Sequence, residues 1–138
     1  MADITFKDNS INVKDAITEA AIAYLHEASG EMVAQTARNS RVDTGQTKGS
    51  WNYSVNEDTM ESQVGSPLEN AIWEEFGTGE YALEGNGRKG GWFYTNKDGE
   101  KVFTRGKKPN RALWNAFQTL KPKLIKRAES QFGGLNNK

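Results

Sequence analysis

The sequence predicts an α+β fold: long N- and C-terminal helices packed on a small antiparallel sheet of hairpins, with a mobile glycine-rich loop. Three observations predict it. Apolar residues recur every three or four positions near both ends of the chain. They alternate every second position in two central segments, the period of a half-buried strand. Between those segments lies "GNGRKGG", residues 85–91, which has neither period. A chain of 138 residues is expected to form one domain over 1–138, with its core at about 11–133. At this size it buries roughly two-thirds of its unfolded surface, so a core needs no staples.

The first helix is expected over residues 13–39, where Val13, Ile17, Ala20, Tyr24, Ala28 and Met32 share one face. Asn12 is the expected N-cap, with Asp15 in the first turn where the helix dipole favours negative charge. Gly30 costs about 1 kcal/mol relative to alanine, too little to break so long a pattern. Ile22 and Val33 point the same way off the main stripe, so the helix has either a core side and a partner side or one wide core stripe.

In the next segment Trp51, Tyr53 and Val55 alternate with polar residues, "NEDT" turns the chain, and Met60, Ser62 and Val64 alternate back. Such a hairpin needs a cover for its apolar face, and the first helix is the obvious one. From Pro67, Leu68, Ile72, Trp73 and Phe76 fit a short helix stopped by Gly77. The loop 79–91 follows, then a second hairpin, "WFYTNKDGEKVFT", turning at "NKDG". Pro109 and Asn110 are expected to start the last helix. It carries Leu113, Phe117, Leu120 and Leu124 on one side, widened by Trp114, Ile125 and Phe132. Pro122 should kink it and Gly133 and Gly134 should end it. The ends, 1–10 and 134–138, are expected to fray.

Formal net charge is zero, but it is segregated along the chain. Residues 1–76 hold 13 Asp/Glu against 5 Lys/Arg, a net −8, and residues 77–138 hold 5 against 13, a net +8. Such halves can neutralise each other within one fold, mate with copies of the chain, or offer a basic surface to nucleic acid. The absence of cysteine excludes disulfides, zinc–thiolate sites and thiol nucleophiles, and fits a reducing compartment. No stretch has the length and apolarity of a signal peptide or a membrane span, so a soluble, non-exported chain is expected.

Several residues invite a chemical reading. Asp43-Thr44-Gly45 has the form of an aspartic-protease loop, but that chemistry needs two aspartates sharing a proton and the chain has one copy. A turn capped by Asp43 or Thr44, with Gly45 in a backbone conformation closed to other residues, is the favoured reading. Glu74 and Glu75 are neighbours about 100° apart on a helix, so they cannot face one another across a substrate. His26 is the only histidine, which leaves a metal or triad role without partners. "GNGRKGG" lacks the Lys-Ser/Thr ending of a phosphate loop and no buried strand feeds it. No catalytic, cofactor or metal residues are therefore assigned. The basic and aromatic residues interleaved from Arg88 to Lys108, among them Trp92, Phe93, Tyr94, Lys97, Lys101, Phe103, Arg105 and Lys107, match the composition of a nucleic-acid surface.

Three motifs together resemble a known family, the small neck or head-tail joining proteins of long-tailed bacteriophages, also described as tail-completion, minor capsid or tail-component proteins. In "VDTGQTKGSW", Asp43, Thr44, Gly45 and Ser50 match that family's Asp-Thr-Gly followed by a serine at the head of a strand. In "AIWEEFGTG", Glu75, Phe76, Gly77 and Thr78 match its Glu-Phe-Gly-Thr signature. In "KKPNRALWNAF", Pro109, Leu113 and Ala116 match the start of its closing helix. The motifs run in order over about residues 13–132. The chain departs from the family in having Arg41 where a proline is frequent, Thr47 where a leucine is frequent, and a long Thr78–Pro109 stretch that holds an entire hairpin.

The resemblance implies a structural protein without catalysis or cofactor, located in the virion and, during assembly, in the host cytoplasm. Its partners would be copies of itself in a ring and the neighbouring head-completion and tail proteins, with DNA passing through but not read by sequence. On this reading Glu74, Glu75, Arg88, Lys89 and Arg105 are the expected charged interface residues, Trp73 and Phe76 pack locally, and loop 79–91 is a docking arm. The alternative expectation is an accessory protein that binds nucleic acid through its basic, aromatic C-terminal half.

Overall fold

A computed structural model of the chain describes residues 10–42 and 45–133, so the expected frayed ends beyond Ser10 and Gly133 lie outside the described residues, as do Asp43 and Thr44. The elements run α1 (Ser10–Asn39), β1 (Asn52–Asn56), β2 (Glu61–Gly65), α2 (Glu69–Phe76), β3 (Trp92–Thr95), β4 (Lys101–Thr104) and α3 (Ala112–Phe132). Single 3-10 turns lie at Lys48–Ser50 and Gly79–Tyr81. The fold is α+β, as the periodicities predict. Among the described residues, however, the two hairpins form separate two-stranded sheets, β1 with β2 and β3 with β4.

α1 and α3 lie antiparallel. Asn39 at the end of α1 meets the start of α3, its Nδ2 donating to Ala112 O at 3.2 Å. Fifteen residues earlier, Tyr24 donates to Leu124 O at 2.7 Å and meets Phe132 edge-on. Ala112 and Ala116 are buried at the crossing, and their small side chains let the two backbones come close. The core is the cluster of Met32, Ala116 and Leu120, with Val64, Leu113 and Leu124 packed against it. Arg127 of α3 bridges Glu27 and Glu31 of α1, each at 3.0 Å. The hydrogen bond to Glu31, then the charges of Glu31 and Glu27, raise the Arg127 pKa above that of an ordinary arginine against a smaller opposing desolvation. A raised folded-state pKa contributes stability below the unfolded value and loses it only as pH rises through the folded one, so this pair stays intact through neutral pH.

α1 starts by Ser10, so Asn12 sits inside the helix rather than capping it, and Asp15 falls beyond the first turn. Burial on α1 concentrates in its second half, on Ser29, Met32, Thr36 and Ser40, while Val13 and Ala20 of the expected stripe are exposed. Polar members of that face are satisfied locally. Thr36 Oγ1 donates to Met32 O, and Ser40 Oγ donates to Thr36 O while accepting from Trp51 Nε1 at 2.8 Å. Trp51 is thereby held against the end of α1, immediately before β1.

The apolar face of β1–β2, Tyr53, Val55 and Val64, turns to α1 as expected. Tyr53 OH lies 3.1 Å from His26 Nδ1, and Ser29 Oγ hydrogen-bonds Ser62 Oγ. α2 buries Ala71 and Glu75, four positions apart, and exposes Ile72, Trp73 and Phe76. Trp73 and Phe76, expected to pack locally, are about half covered and are not part of the core. The last helix begins at Ala112, not at Pro109, because Arg111 adopts the left-handed conformation (φ 56°) and cannot belong to it. α3 runs unbroken through Pro122 to Phe132.

Candidate functional site

The second and third motifs fold into one joint. Gly77 ends α2 with φ 76°, and a Cβ there would lie 2.9 Å from Lys107 O, Pro109 Cδ and Tyr81 O, so only glycine fits. Thr78 then pairs with Lys107: its N–H donates to Lys107 O at 2.9 Å, and its Oγ1 accepts from Lys107 N–H at 2.8 Å. Two residues on, Glu80 N–H donates to Arg105 O at 2.9 Å. A Cβ on Gly79 would overlap Arg105 O, and one on Gly106 would overlap Thr78 O.

Glu75 completes the joint. Its carboxylate accepts from Leu113 N–H at 2.9 Å and Trp114 N–H at 2.8 Å. These belong to the first turn of α3, whose amides lack helical acceptors, and the side chain is where a capping anion is favoured. Arg111, the residue before α3, makes no such side-chain cap. Glu75 is thus a buried cap for another helix, 8% exposed, and not a surface interface charge. Glu74 is likewise engaged within the molecule, paired with Lys107 and, at 3.9 Å, with Arg41. Arg41 also donates to Asn110 Oδ1 and Lys108 O, both at 3.2 Å, and Asn110 Nδ2 donates back to Asn39 O at 2.9 Å. The ends of α1, α2 and the approach to α3 are locked together here.

The first motif contributes a turn. Gly45 has φ 82°, and Ser50 Oγ sits 2.6 Å from both Thr47 O and Ser66 Oγ, tying the approach of β1 to the exit of β2. His26 is spent on Tyr53. Among the described residues no group of three or more His, Asp or Glu is arranged to hold a metal ion, and no helix is long and apolar enough to cross a membrane.

Two apolar surfaces among the described residues lie open. The first is an open groove of about 1040 Å³ between α1, β2 and α3. Leu25, Met32, Met60 and Val64 line it, with the exposed rings of Trp114 and Phe117 at its rim. Its lining is predominantly apolar, and Trp114 and Phe117 are 48% and 41% exposed. Arg111 stacks over both Phe76 and Trp114 at one end. Neither Arg111 nor this rim was predicted from sequence, because an apolar helix stripe does not reveal which of its members a neighbour leaves uncovered.

The second is the outer face of β3–β4. Phe93 and Phe103 pair directly across the strands with ring centroids 5.2 Å apart, and are 61% and 47% exposed. Lys101 lies over Phe93 and Arg105 over Phe103, while Arg105 also pairs with Glu80 at 3.3 Å. On the opposite face Trp92 packs against Gly79 with Arg88 over its ring, while Tyr94 is exposed. Of the five expected interface charges, Arg88, Lys89 and Arg105 lie exposed on this unit.

The glycine-rich segment that precedes it is a chain of tight turns. Leu83 N–H donates to Phe76 O, Gly90 N–H to Glu80 Oε1, and Gly87 packs directly on the Gly79 backbone. It is folded back on the joint, not extended as an arm.

No protein-family model matches the chain, and neither curated proteins nor solved structures give a match.

Proposed function

We propose that the protein is a structural adaptor of a phage or prophage virion, a neck or tail-completion component that joins head to tail through protein–protein contacts. The observation that carries the adaptor reading is the mismatch between core and surface. The buried hydrophobic cluster is three residues with three partners, whereas an apolar groove and an aromatic hairpin face stand open. Exposed apolar surface of this extent marks a place where another molecule sits. The choice of head–tail joining within that class comes from the resemblance of the three motifs.

In this role copies associate head to tail in a ring, and an uncovered patch on each is met by a different patch on its neighbour. The cross-half pairs, Arg127 with Glu27 and Glu31 and Lys107 with Glu74, consume part of the charge segregation internally. Arg88, Lys89, Lys101 and Arg105 remain at the surface for partners, and DNA passes without sequence-specific contact. Electron microscopy of particles assembled without this protein tests the reading. Separate filled heads and finished tails support it; complete virions at normal yield overturn it.

A second reading has its own observation. Seven cation–aromatic pairs fall between Phe76 and Lys121, where about two are expected in a chain of this length. Such a surface suits stacking on bases and pairing with phosphates. Nucleic-acid affinity that falls steeply with added salt supports this alternative, and an absence of affinity at low salt removes it.

A further inference from the structure

We infer that the β3–β4 hairpin of one copy seats its Phe93–Phe103 face in the α1–β2–α3 groove of the next copy. This deepens the adaptor reading and rests on it. The two open surfaces are complementary in shape and chemistry. One is a convex ridge, a two-stranded hairpin with an aromatic pair at its centre. The other is an apolar channel whose volume, about 1040 Å³, accommodates the two phenyl side chains. Among the described residues no helix packs extensively on β3 or β4, so the exposed Phe93–Phe103 face can be given to a neighbour.

Charge sets the direction of insertion. On the ridge, Lys101 and Arg105 flank the aromatic pair. On the groove, Glu61 and the adjoining turn residues Glu57 and Asp58 form an exposed acidic edge on the β2 side, and Arg111 stands on the α3 side. Seating Lys101 and Arg105 toward the acidic edge pairs opposite charges. The reversed orientation brings them to Arg111, and like-charge juxtaposition disfavours it.

Ridge and groove are different patches of one chain, so the contact is heterologous and propagates from copy to copy until a ring closes. One hairpin in one groove falls at the small end of specific interfaces, below roughly 1,200 Å². Free pairs are therefore short-lived, and closure of the ring, in which each copy is held twice, supplies the persistence.

The chain has no cysteine, so single introduced thiols report the contact without background. Phe93→Cys and Phe117→Cys proteins are mixed at high concentration, oxidised, and the three disulfide dimers quantified. The mixed dimer is expected to exceed each homodimer by about fivefold or more, as a heterologous contact requires. Lys101→Glu with Arg105→Glu in the Phe93→Cys copy, or salt at about 0.5 M, should cut that excess several-fold. Dominant Phe93→Cys homodimers, a statistical mixture, or no product overturns the inference. Circular dichroism confirms that each variant is folded, and Gln63→Cys on β2 replaces Phe117→Cys should the latter unfold. The particle experiment fails or succeeds separately: unjoined heads and tails without mixed dimers sink this contact alone, and mixed dimers with normal virions sink the head–tail role alone.

Discussion

β1–β2 and β3–β4 are antiparallel hairpins of similar length, and the same device closes both turns. In the first, Asn56 Oδ1 accepts from Asp58 N–H and Thr59 N–H; in the second, Asn96 Oδ1 accepts from Asp98 N–H and Glu100 N–H. They differ in what lies against them. α1 covers β1–β2, and Val64 joins the core, whereas β3–β4 has one face against its own loop and the other in solvent. The comparison teaches that local sequence makes a hairpin, and a tertiary partner decides whether its aromatic residues stabilise the fold or wait for another molecule. An isolated two-stranded hairpin is at best marginally stable in water, so β3–β4 depends on its glycine anchor at Gly79 and Gly106.

The comparison breaks most sharply under aromatic truncation. Trp51→Ala, beside the covered hairpin, should cost about 3–5 kcal/mol in urea unfolding, because it opens a cavity and removes the indole hydrogen bond to Ser40. Next in size is Glu75→Gln, which keeps one neutral carbonyl acceptor for one α3 amide and sets an NH2 donor against the other; a loss of about 1–3 kcal/mol in the same assay is expected. A loss below half a kcal/mol there would show that the cap contributes nothing to the fold.

Gly79→Ala should cost about 1–3 kcal/mol, since φ is 60° and the methyl has no room beside Arg105 O. Heteronuclear NMR should place the resulting shift changes around β3–β4 and spare β1–β2. Amide exchange in the unaltered protein sharpens the same contrast: β1–β2 amides should open with nearly the global free energy, and β3–β4 amides at lower cost. The smallest effect belongs to Phe93→Ala with Phe103→Ala, about 1 kcal/mol or less on folding stability, because both rings are largely exposed and lose chiefly their contact with each other and that of Phe103 with Gly91. A large loss from this pair would show that the ridge serves the monomer.

Much of this architecture was legible from pattern alone. Alternation at 51–55, 60–64 and 92–104 with polar turns placed both hairpins, and three- and four-residue spacing placed α1 and α3. What escaped was tertiary. Whether two hairpins share a sheet depends on edge pairing between segments thirty residues apart, which side-chain period does not encode. The orientation of α2 escaped for a related reason: its apolar residues Ile72, Trp73 and Phe76 form a plausible inward face, yet the unsatisfied amides of α3 draw Glu75 inward instead. Arg111 interrupts what reads as a continuous start to the last helix, and nothing in its side chain signals a left-handed backbone. Arg88, Lys89 and Arg105, the expected interface charges, lie exposed, whereas the apolar groove is a property of packing and left no motif.

The crossing of Gly79 and Gly106 has a consequence for how such a chain can change. Thr78 bonds to Lys107 and Glu80 to Arg105 across it, so the segment between leaves and re-enters the rest of the molecule at nearly one point. An insert with adjacent ends is a cassette: it can be shortened, lengthened or traded for an unrelated one while α1, β1–β2 and α3 keep their places. Specificity for a neighbour can then evolve inside the cassette, at a rate uncoupled from the framework that carries it.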